Sequence, residues 1–531
     1  MKGLQADQPL AAGTARDRGL LLIAQVALLV PFLDKPVHID DAFFLAIGRH
    51  IADAPLAPFG FDYNWAGTPA SVWAEMKNPP GLFYLHAALQ RAFGPSERAL
   101  HLVFWFFPVC ATQACYELAR RVTRAPLYAG LLLAVCPAFW VSSTSLMLDV
   151  PVVAAMTLAL VLGCVAQERD GLAWRWGAGL AAAVAVTLKY FGLAVVPLLA
   201  VQAWWGGRLR ARDGVAVGFP LLVFAAWWGL SDGHFSQALA YRSEARGDVL
   251  GWVLTHGLAG AFFLGGLLAF PVVMLGESLA HAAGRGHGLI AAGFGVAAGL
   301  FHAAWLPDGL LVNDLLAGVL AAAGFRFLTQ SFSGGWQQGV RRIVLVWLAG
   351  TVIFALFLNW TLNARTLCLL APPAVLVFAW QTDGRRLVRA VALGVALVLG
   401  GMVNAGDAEL AGFGPDETAR VQRDLAGESV QFAGHWGFQH YMEAAGYVHV
   451  DLAAPDFSPG TVLVAPRMHQ VANGGLAFRG YAARLVHAWP RRVPVAVMDA
   501  DAGAGLHGSF LGLLPFAFAT GPLESVEVLR W

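Results

Sequence analysis

Residues 20–41 read LLLIAQVALLVPFLDKPVHIDD, and this stretch decides how the rest of the chain is interpreted. Its apolar part, 20–33, has no charged residue but is shorter than the 17–25 residues that usually cross a membrane, so its flanks must contribute. It is followed by Asp34-Lys35-Pro36, not by the small residues of a signal-peptide cleavage site. The stretch predicts a first transmembrane helix, with Asp40 and Asp41 placed just beyond its end.

The composition of the whole chain also indicates a membrane protein. Of 531 residues, 58% are hydrophobic and only 13% are charged, which is about half the charged fraction of a soluble domain. The net charge of +1 argues against nucleic acid as a partner, because phosphate binding needs a clustered basic surface. Apolar runs predict about 13 spans, over 19–33, 99–119, 126–141, 150–166, 175–188, 191–205, 215–231, 249–275, 289–305, 310–324, 343–358, 367–380 and 390–404.

Charge placement gives the expected orientation. Clusters of Lys and Arg fall between alternate predicted spans, at 120–124, 208–212, 341–342 and 385–386. By the positive-inside rule these segments are cytoplasmic. We therefore expect a cytoplasmic N-terminus, with the loop 34–98 and the tail outside. The predicted domains are a transmembrane domain over 1–404 that includes this loop, and a soluble external domain over 405–531.

The tail has a mixed polar composition that is typical of a small α/β domain. Its predicted strands are 429–432, 461–464, 493–498 and 526–529, and its predicted helices are 416–425 and 438–445. The aromatic segment 435–441 fits either core packing or acceptor binding. The predicted fold class is thus a polytopic α-helical membrane protein with a small C-terminal α/β domain.

The adjacent acids Asp40 and Asp41 open an amphipathic stretch just outside the first span, directly after His38. One interpretation is structural, because acids at a helix N-terminus cap free N–H groups and suit the helix dipole. The other is that one carboxylate faces a cavity at membrane level and acts as a general base toward an acceptor hydroxyl.

Several further charged residues fall on the same predicted side of the membrane. In 75–80, two prolines force an extended path that holds Lys77 near the membrane surface. Asp149 opens an apolar run, where an acid facing lipid would be costly. Lys189 and Arg365 stand beside the external ends of spans. Capping and interfacial anchoring explain each residue alone, whereas their common side favours a shared site.

No nucleotide-phosphate loop, HExxH or GxSxG motif occurs in the sequence. No cofactor is required by any motif. The sequence neither requires nor excludes binding of a divalent metal ion. Four possible ligands are predicted on the external side, namely His38, Glu75, His234 and His256, although their spacing is not that of a metal site. Glu75 and His256 are the metal candidates.

Together these segments resemble the polyprenyl-phosphate-sugar-dependent glycosyltransferases of the GT-C fold. The nearest group is family 39, the protein O-mannosyltransferases and lipid A aminoarabinose transferases. The resemblance covers about residues 20–400 and depends on the order of short motifs: Asp40-Asp41, Lys77-Asn78-Pro79-Pro80, Asp149, Lys189-Tyr190 and Asn363-Ala364-Arg365 before Pro372-Pro373. About 13 spans followed by an external α/β tail are similar to the aminoarabinose-transferase branch.

The resemblance implies a role for each matching residue. Asp40 corresponds to the catalytic base, Asp41 to a supporting acid and Asp149 to an acid of the same cavity. The cations near the donor phosphate are Lys77, Arg365 and, as a weaker match, Lys189. Further cavity candidates are Glu75, Asn78, Tyr190 and His38. Two departures are Met76, which separates Glu75 from Lys77, and Thr366, where an aromatic residue is common.

The function implied is inverting transfer of a sugar from a polyprenyl-phosphate donor to an acceptor hydroxyl of a lipid, protein or polysaccharide. A bacterial inner-membrane enzyme of cell-envelope glycosylation is expected, acting on the periplasmic face. The alternative is a polytopic transporter or lipid flippase, because intramembrane ions and broken helices also mark transport pathways. A third reading is a non-catalytic assembly subunit that binds partners through the tail.

Overall fold

The computed structural model of the protein describes residues 13–205, 211–231, 233–238, 249–281, 284–333, 339–470 and 478–531. Within these ranges, nine helices are long and apolar enough to cross a membrane, and a bent pair gives a tenth candidate. The nine are Glu97–Val122, Asp149–Arg169, Ala211–Leu230, Gly251–Leu268, Arg285–Trp305, Leu311–Ser333, Gly339–Leu358, Ala364–Gln381 and Arg386–Asp424. The predicted polytopic α-helical fold is confirmed.

Shorter helices correspond to the remaining predicted spans. The first predicted span is the helix Ala15–Leu29, which ends in a 3-10 turn over Val30–Phe32. Three more short apolar helices are Leu172–Leu188, Tyr190–Trp205 and Phe270–Ala280.

Two predicted spans are broken at prolines. The run 126–141 forms the helices Pro126–Val135 and Pro137–Ser143, which meet at an angle of 64°. The run 249–275 divides at Ala269, whose φ of +64° lies in the left-handed region, and a new helix starts at Phe270 with Pro271 in its first turn. Proline has no N–H to continue a helix but fits the first turn of a new one.

The two most enclosed spans carry site residues at their first turns. In the most apolar 18-residue window of each helix, the buried share is 89% for Ala364–Gln381 and 83% for Asp149–Arg169. Arg365 and Asp149 therefore emerge from the centre of the helical assembly and not from its lipid-facing rim.

The segment 34–98 folds into short elements on one end of the helical assembly. Its helices are Asp41–Asp53, Val72–Glu75 and Gly81–Phe93, and the strands Asp62–Asn64 and Pro69–Ser71 form an antiparallel hairpin between the first two. Phe43 stacks on Tyr63 and Trp65 of the hairpin. This packing fixes the helix that begins at Asp41.

The tail is joined to the spans by a continuous helix, Arg386–Asp424, which runs through residue 405. A helix Trp436–Ala444 packs beside a five-stranded sheet. The strand order is Val448–His449, Ser429–Phe432, Thr461–Pro466, Glu524–Arg530 and Ala483–Trp489. The first three strands are parallel to one another, and Glu524–Arg530 pairs antiparallel with both of its neighbours.

Three predicted tail strands lie in this sheet, whereas 493–498 does not. Val495–Ala496 pairs with Ala517–Phe518, and Met498–Asp499 pairs with Ala504–Gly505, in small separate ribbons. The edge strand Ala483–Trp489 was not predicted, because its side chains are mostly exposed and show no clear alternation.

Candidate functional site

A cleft of about 260 Å³ lies where the segment 34–98, the turn before the Ala364–Gln381 helix and the tail meet. Six residues singled out in the sequence line it: Asp40, Glu75, Lys77, Asn78, Lys189 and Arg365. They come from four distant parts of the chain. The structure thus brings together residues that were predicted on the same side of the membrane.

Asp40 forms an ion pair with Arg365 inside this cleft. Asp40 precedes the helix Asp41–Asp53, yet its side chain makes no capping hydrogen bond. Both partners keep partial exposure, 23% for the carboxylate and 19% for the guanidinium. The residue before Asp40 is Ile39, with a φ of +48°, which is a genuine outlier for a β-branched side chain and the kind of strain found at functional sites.

The start of the Ala364–Gln381 helix fixes the position of Arg365. Asn363 caps this helix, since its Oδ1 accepts hydrogen bonds from Thr366 N at 2.8 Å and Thr366 Oγ1 at 2.9 Å. Asn359 donates to the same Thr366 hydroxyl at 2.9 Å. The Arg365 guanidinium also lies 3.6 Å from Met147 Sδ. The guanidinium is thus held against the cleft by a rigid turn.

Lys189 forms the second carboxylate–cation pair. Its Nζ lies 2.6 Å from Asp149 Oδ1. The Asp149 carboxylate is only 2% exposed, whereas the Lys189 side chain is 16% exposed and lines the cleft. Asp149 is therefore not part of the cleft lining, and it acts on the cleft through the cation that it holds.

The segment 75–80 supplies Glu75, Lys77 and Asn78 to the cleft. The Lys77 ammonium donates a hydrogen bond to the carbonyl of Ala74. Behind this segment, His234 Nε2 lies 2.6 Å from the Met76 carbonyl oxygen, and His234 Nδ1 lies 2.6 Å from the Tyr190 hydroxyl. Tyr190 is thus behind the cleft, where it positions the segment through His234.

Asp41 and His38 are not among the residues that line the cleft. The Asp41 carboxylate is buried and accepts a hydrogen bond from Leu146 N at 3.0 Å, which ties the segment 34–98 to the turn before Asp149. Burial raises the pKa of Asp41 to about 7. His38 is buried beside Asp407. Neither side chain is placed to touch a molecule in the cleft.

Among the described residues, neither metal candidate, Glu75 or His256, belongs to a group of three or more converging ligand side chains. His256 is buried, and its Nε2 lies 3.0 Å from the Ala355 carbonyl oxygen. Among the described residues, the group of three or more ligand side chains that converges is His38, Asp407 and His507, and it contains neither candidate. We therefore assign no chemistry to a metal ion at Glu75.

Part of the cleft wall was not identified from the sequence. Aromatic side chains surround the polar residues, with Trp360 stacked on Phe510 at 5.5 Å between ring centroids. Trp65, Trp436 and His507 line the same cleft. Of these, only Trp436 lay in a segment with a recognisable signal, the aromatic run 435–441. Its φ of +61° is unusual for a bulky residue.

A mostly apolar groove of about 200 Å³ adjoins the same segment. Lys77 and Asn78 border the polar cleft, whereas Pro79 and Pro80 border the groove. The other walls of the groove are Gly81, Tyr84, Val186, Thr187, Val223 and Trp227. A polar site and an apolar site are therefore joined by four consecutive residues.

Several solved structures are similar to this chain. The apo oligosaccharyltransferase of Archaeoglobus fulgidus is 13% identical, with a TM-score of 0.47 over 82% of this chain and 64% of that one, so this chain spans under two thirds of its length. ArnT from Cupriavidus metallidurans, bound to undecaprenyl phosphate, is 16% identical, with a TM-score of 0.40 over 85% and 93%. The arabinofuranosyltransferase AftD from Mycobacteria is 14% identical, with a TM-score of 0.41 over 99% and 40%.

No curated protein matches the sequence. Residues 77–228 match the family described as dolichyl-phosphate-mannose-protein mannosyltransferase. The matched range includes Lys77, Asp149 and Lys189, but not Asp40 or Arg365. For this part of the chain, the match confirms the resemblance to lipid-phosphate-sugar glycosyltransferases that the short motifs predicted.

Proposed function

We propose that the protein is an inverting glycosyltransferase that moves a sugar from a polyprenyl-phosphate donor to an acceptor hydroxyl. One observation carries the proposal: Asp40 shares a single cleft with the cations Lys77, Lys189 and Arg365. A carboxylate able to accept a proton and cations able to stabilise a phosphate leaving group are the two requirements of this reaction.

In the proposed mechanism, Asp40 takes the proton of the acceptor hydroxyl as its oxygen attacks the anomeric carbon. A new glycosidic bond forms, and the bond between the anomeric carbon and the phosphate oxygen breaks. Attack from the face opposite the phosphate inverts the anomeric carbon. The electron pair of the broken bond stays on the polyprenyl phosphate, where Lys77 and Lys189 stabilise it.

Arg365 has two roles in this scheme. In the structure it pairs with Asp40 and so holds that carboxylate at the cleft. It also lines the cleft itself, so that a bound phosphate provides it with a second anionic partner. Movement of the guanidinium toward the phosphate would free Asp40 for the acceptor.

The apolar groove supports a lipid donor. It begins at Pro79 and Pro80, directly after two residues of the polar cleft. A polyprenyl chain in the groove would place its phosphate near Lys77. We place the cleft on the periplasmic face of the inner membrane, with the N-terminus in the cytoplasm and the tail outside, following the distribution of Lys and Arg.

The test is release of polyprenyl phosphate by the full chain in proteoliposomes, followed by mass spectrometry with a panel of polyprenyl-phosphate sugars. Asp40→Asn should reduce release by about 10²–10⁴-fold, the usual contribution of a general base. Lys77→Ala should reduce it by about 10²–10³-fold, by analogy with the loss of one group that stabilises developing charge.

The matched control is Asp53→Asn, at the exposed end of the same helix, which should retain the wild-type rate. Undiminished release by Asp40→Asn would remove Asp40 as the base. A lipid flippase would move the donor between leaflets without releasing polyprenyl phosphate.

A separate experiment would identify the acceptor: mass spectrometry of cell-envelope glycans from a deletion strain.

A further inference from the structure

Three potential metal ligands converge at the junction between the helical assembly and the tail. His38 precedes the helix that begins at Asp41, Asp407 lies in the helix Arg386–Asp424, and His507 lies in the tail. One ligand atom from each lies within 4.8 Å of the other two. Asp407 Oδ1 is 2.6 Å from His507 Nε2 and 3.4 Å from His38 Nε2.

The imidazole of His38 lacks the hydrogen bonds that its burial requires. It is 2% exposed, and neither ring nitrogen makes a hydrogen bond. Buried polar atoms nearly always have a partner, because an unpaired one costs free energy. A metal ion would supply the missing partner, because a neutral imidazole offers it a nitrogen lone pair.

The second oxygen of Asp407 is already held. Lys35 Nζ lies 2.5 Å from Asp407 Oδ2 and donates to Thr144 Oγ1 at 3.1 Å. This ion pair orients the carboxylate so that Oδ1 faces the two imidazoles. It also reduces the charge that the carboxylate offers to a cation, so that binding depends mainly on the two histidines.

We propose that His38, Asp407 and His507 form a binding site for a divalent transition-metal ion, with Zn²⁺ as the first candidate. Imidazole nitrogens suit zinc, whereas magnesium and calcium prefer sets of oxygen ligands. Three protein ligands with a fourth position open are typical of zinc sites that bind water or substrate. Since His507 also lines the cleft, the open position is expected on the cleft side.

The ion would also join three parts of the chain that are far apart in sequence. It would fix the tail, through His507, against the segment that leads into Asp40. This inference does not depend on glycosyl transfer, because both metal content and stability are measured without any donor.

The test uses the full chain, purified in detergent without a histidine tag, stripped with a chelator and equilibrated with Zn²⁺. Metal content is measured by mass spectrometry of the bound element. We expect about one Zn²⁺ per wild-type chain and a large loss of bound metal in His507→Gln. Co²⁺ in place of Zn²⁺ should give visible d–d absorption that His507→Gln abolishes. His38→Gln provides a second variant if His507→Gln fails to fold.

The matched control is His256→Gln, which alters another buried histidine, and Glu75→Gln is tested beside it. Both should retain the metal. Wild-type protein that binds no Zn²⁺ would overturn the proposal. Equal metal content in wild type and in both His507→Gln and His38→Gln would also overturn it, and loss of metal in Glu75→Gln and His256→Gln alone would place the ion at those residues instead.

Discussion

Two carboxylate–cation pairs serve the same cleft, and they differ in which partner is accessible. In the pair of Asp40 and Arg365 both side chains are about one-fifth exposed. In the pair of Asp149 and Lys189 the acid is 2% exposed and only the cation lines the cleft. The first pair can present an acid to a substrate, whereas the second can present only a positive charge. Position relative to the cleft thus separates two aspartates that look equivalent in sequence.

Of the two cations, Arg365, the partner of Asp40, should show the larger effect when it is lost. Arg365→Met should reduce polyprenyl-phosphate release by about 10²–10³-fold, because it removes a fixed positive charge and leaves Asp40 without its partner. Lys189→Met should reduce release less. The two rates are measured side by side in proteoliposomes. A larger loss in Lys189→Met would reverse the assignment of the pairs.

Removing the buried acid should affect stability more than it affects the rate. Asp149→Asn leaves the Lys189 ammonium facing an uncharged amide. Breaking a fully buried pair costs about 3–5 kcal/mol, and the cost here should be smaller because the Lys189 side chain is 16% exposed at the cleft. We expect a lower unfolding temperature in detergent and a moderate decrease in release. Wild-type thermal stability for Asp149→Asn would contradict a supporting role.

A double variant would separate the effect of charge from the effect of packing in the pair of Asp149 and Lys189. Asp149→Leu combined with Lys189→Met replaces the ions by apolar side chains of similar length, which often restores stability. Its unfolding temperature should exceed that of Asp149→Asn, while its activity should remain reduced as in Lys189→Met. Recovery of activity together with stability would show that the charge of Lys189 has no function in the cleft.

The smallest effect is expected behind the cleft. Tyr190→Phe removes the hydroxyl that contacts His234, and a typical hydrogen bond contributes about 1 kcal/mol. The segment 75–80 should then be less well held, giving a rise in donor KM of less than about tenfold with little change in kcat. Hydrogen exchange at residues 74–80 should increase. Unchanged exchange would show that Tyr190 does not position this segment.

The helices and the polar half of the cleft could be predicted from sequence because each depends on local signals. Apolar runs gave the spans, and the prolines that break two of them were visible at residues 137 and 271. Asp40, Lys77, Lys189 and Arg365 stood out because all four were predicted on the same side of the membrane and matched the order of the family's short motifs. In the structure these four residues line one cleft.

The tail's contribution could not be predicted, because it depends on tertiary contacts without a local pattern. His507 and Phe510 lie in a loop, and their neighbours in space are Asp407, about 100 residues earlier, and Trp360. The loop is fixed by backbone contacts such as Ala364 N to Leu506 O at 2.7 Å. Similarly, burial alone distinguishes Asp41 from Asp40, and adjacent residues of the same type carry no sign of which one is buried.

The helix Arg386–Asp424 is 39 residues long, which corresponds to about 58 Å at 1.5 Å per residue. The hydrocarbon core of a bilayer is about 30 Å thick, so a large part of this helix must project beyond the membrane. A chain shortened at residue 405 would end within the helix and lose Trp436, His507 and Phe510 from the cleft. The tail is therefore not an independent domain that could be deleted without consequence, because its loss would remove one wall of the cleft.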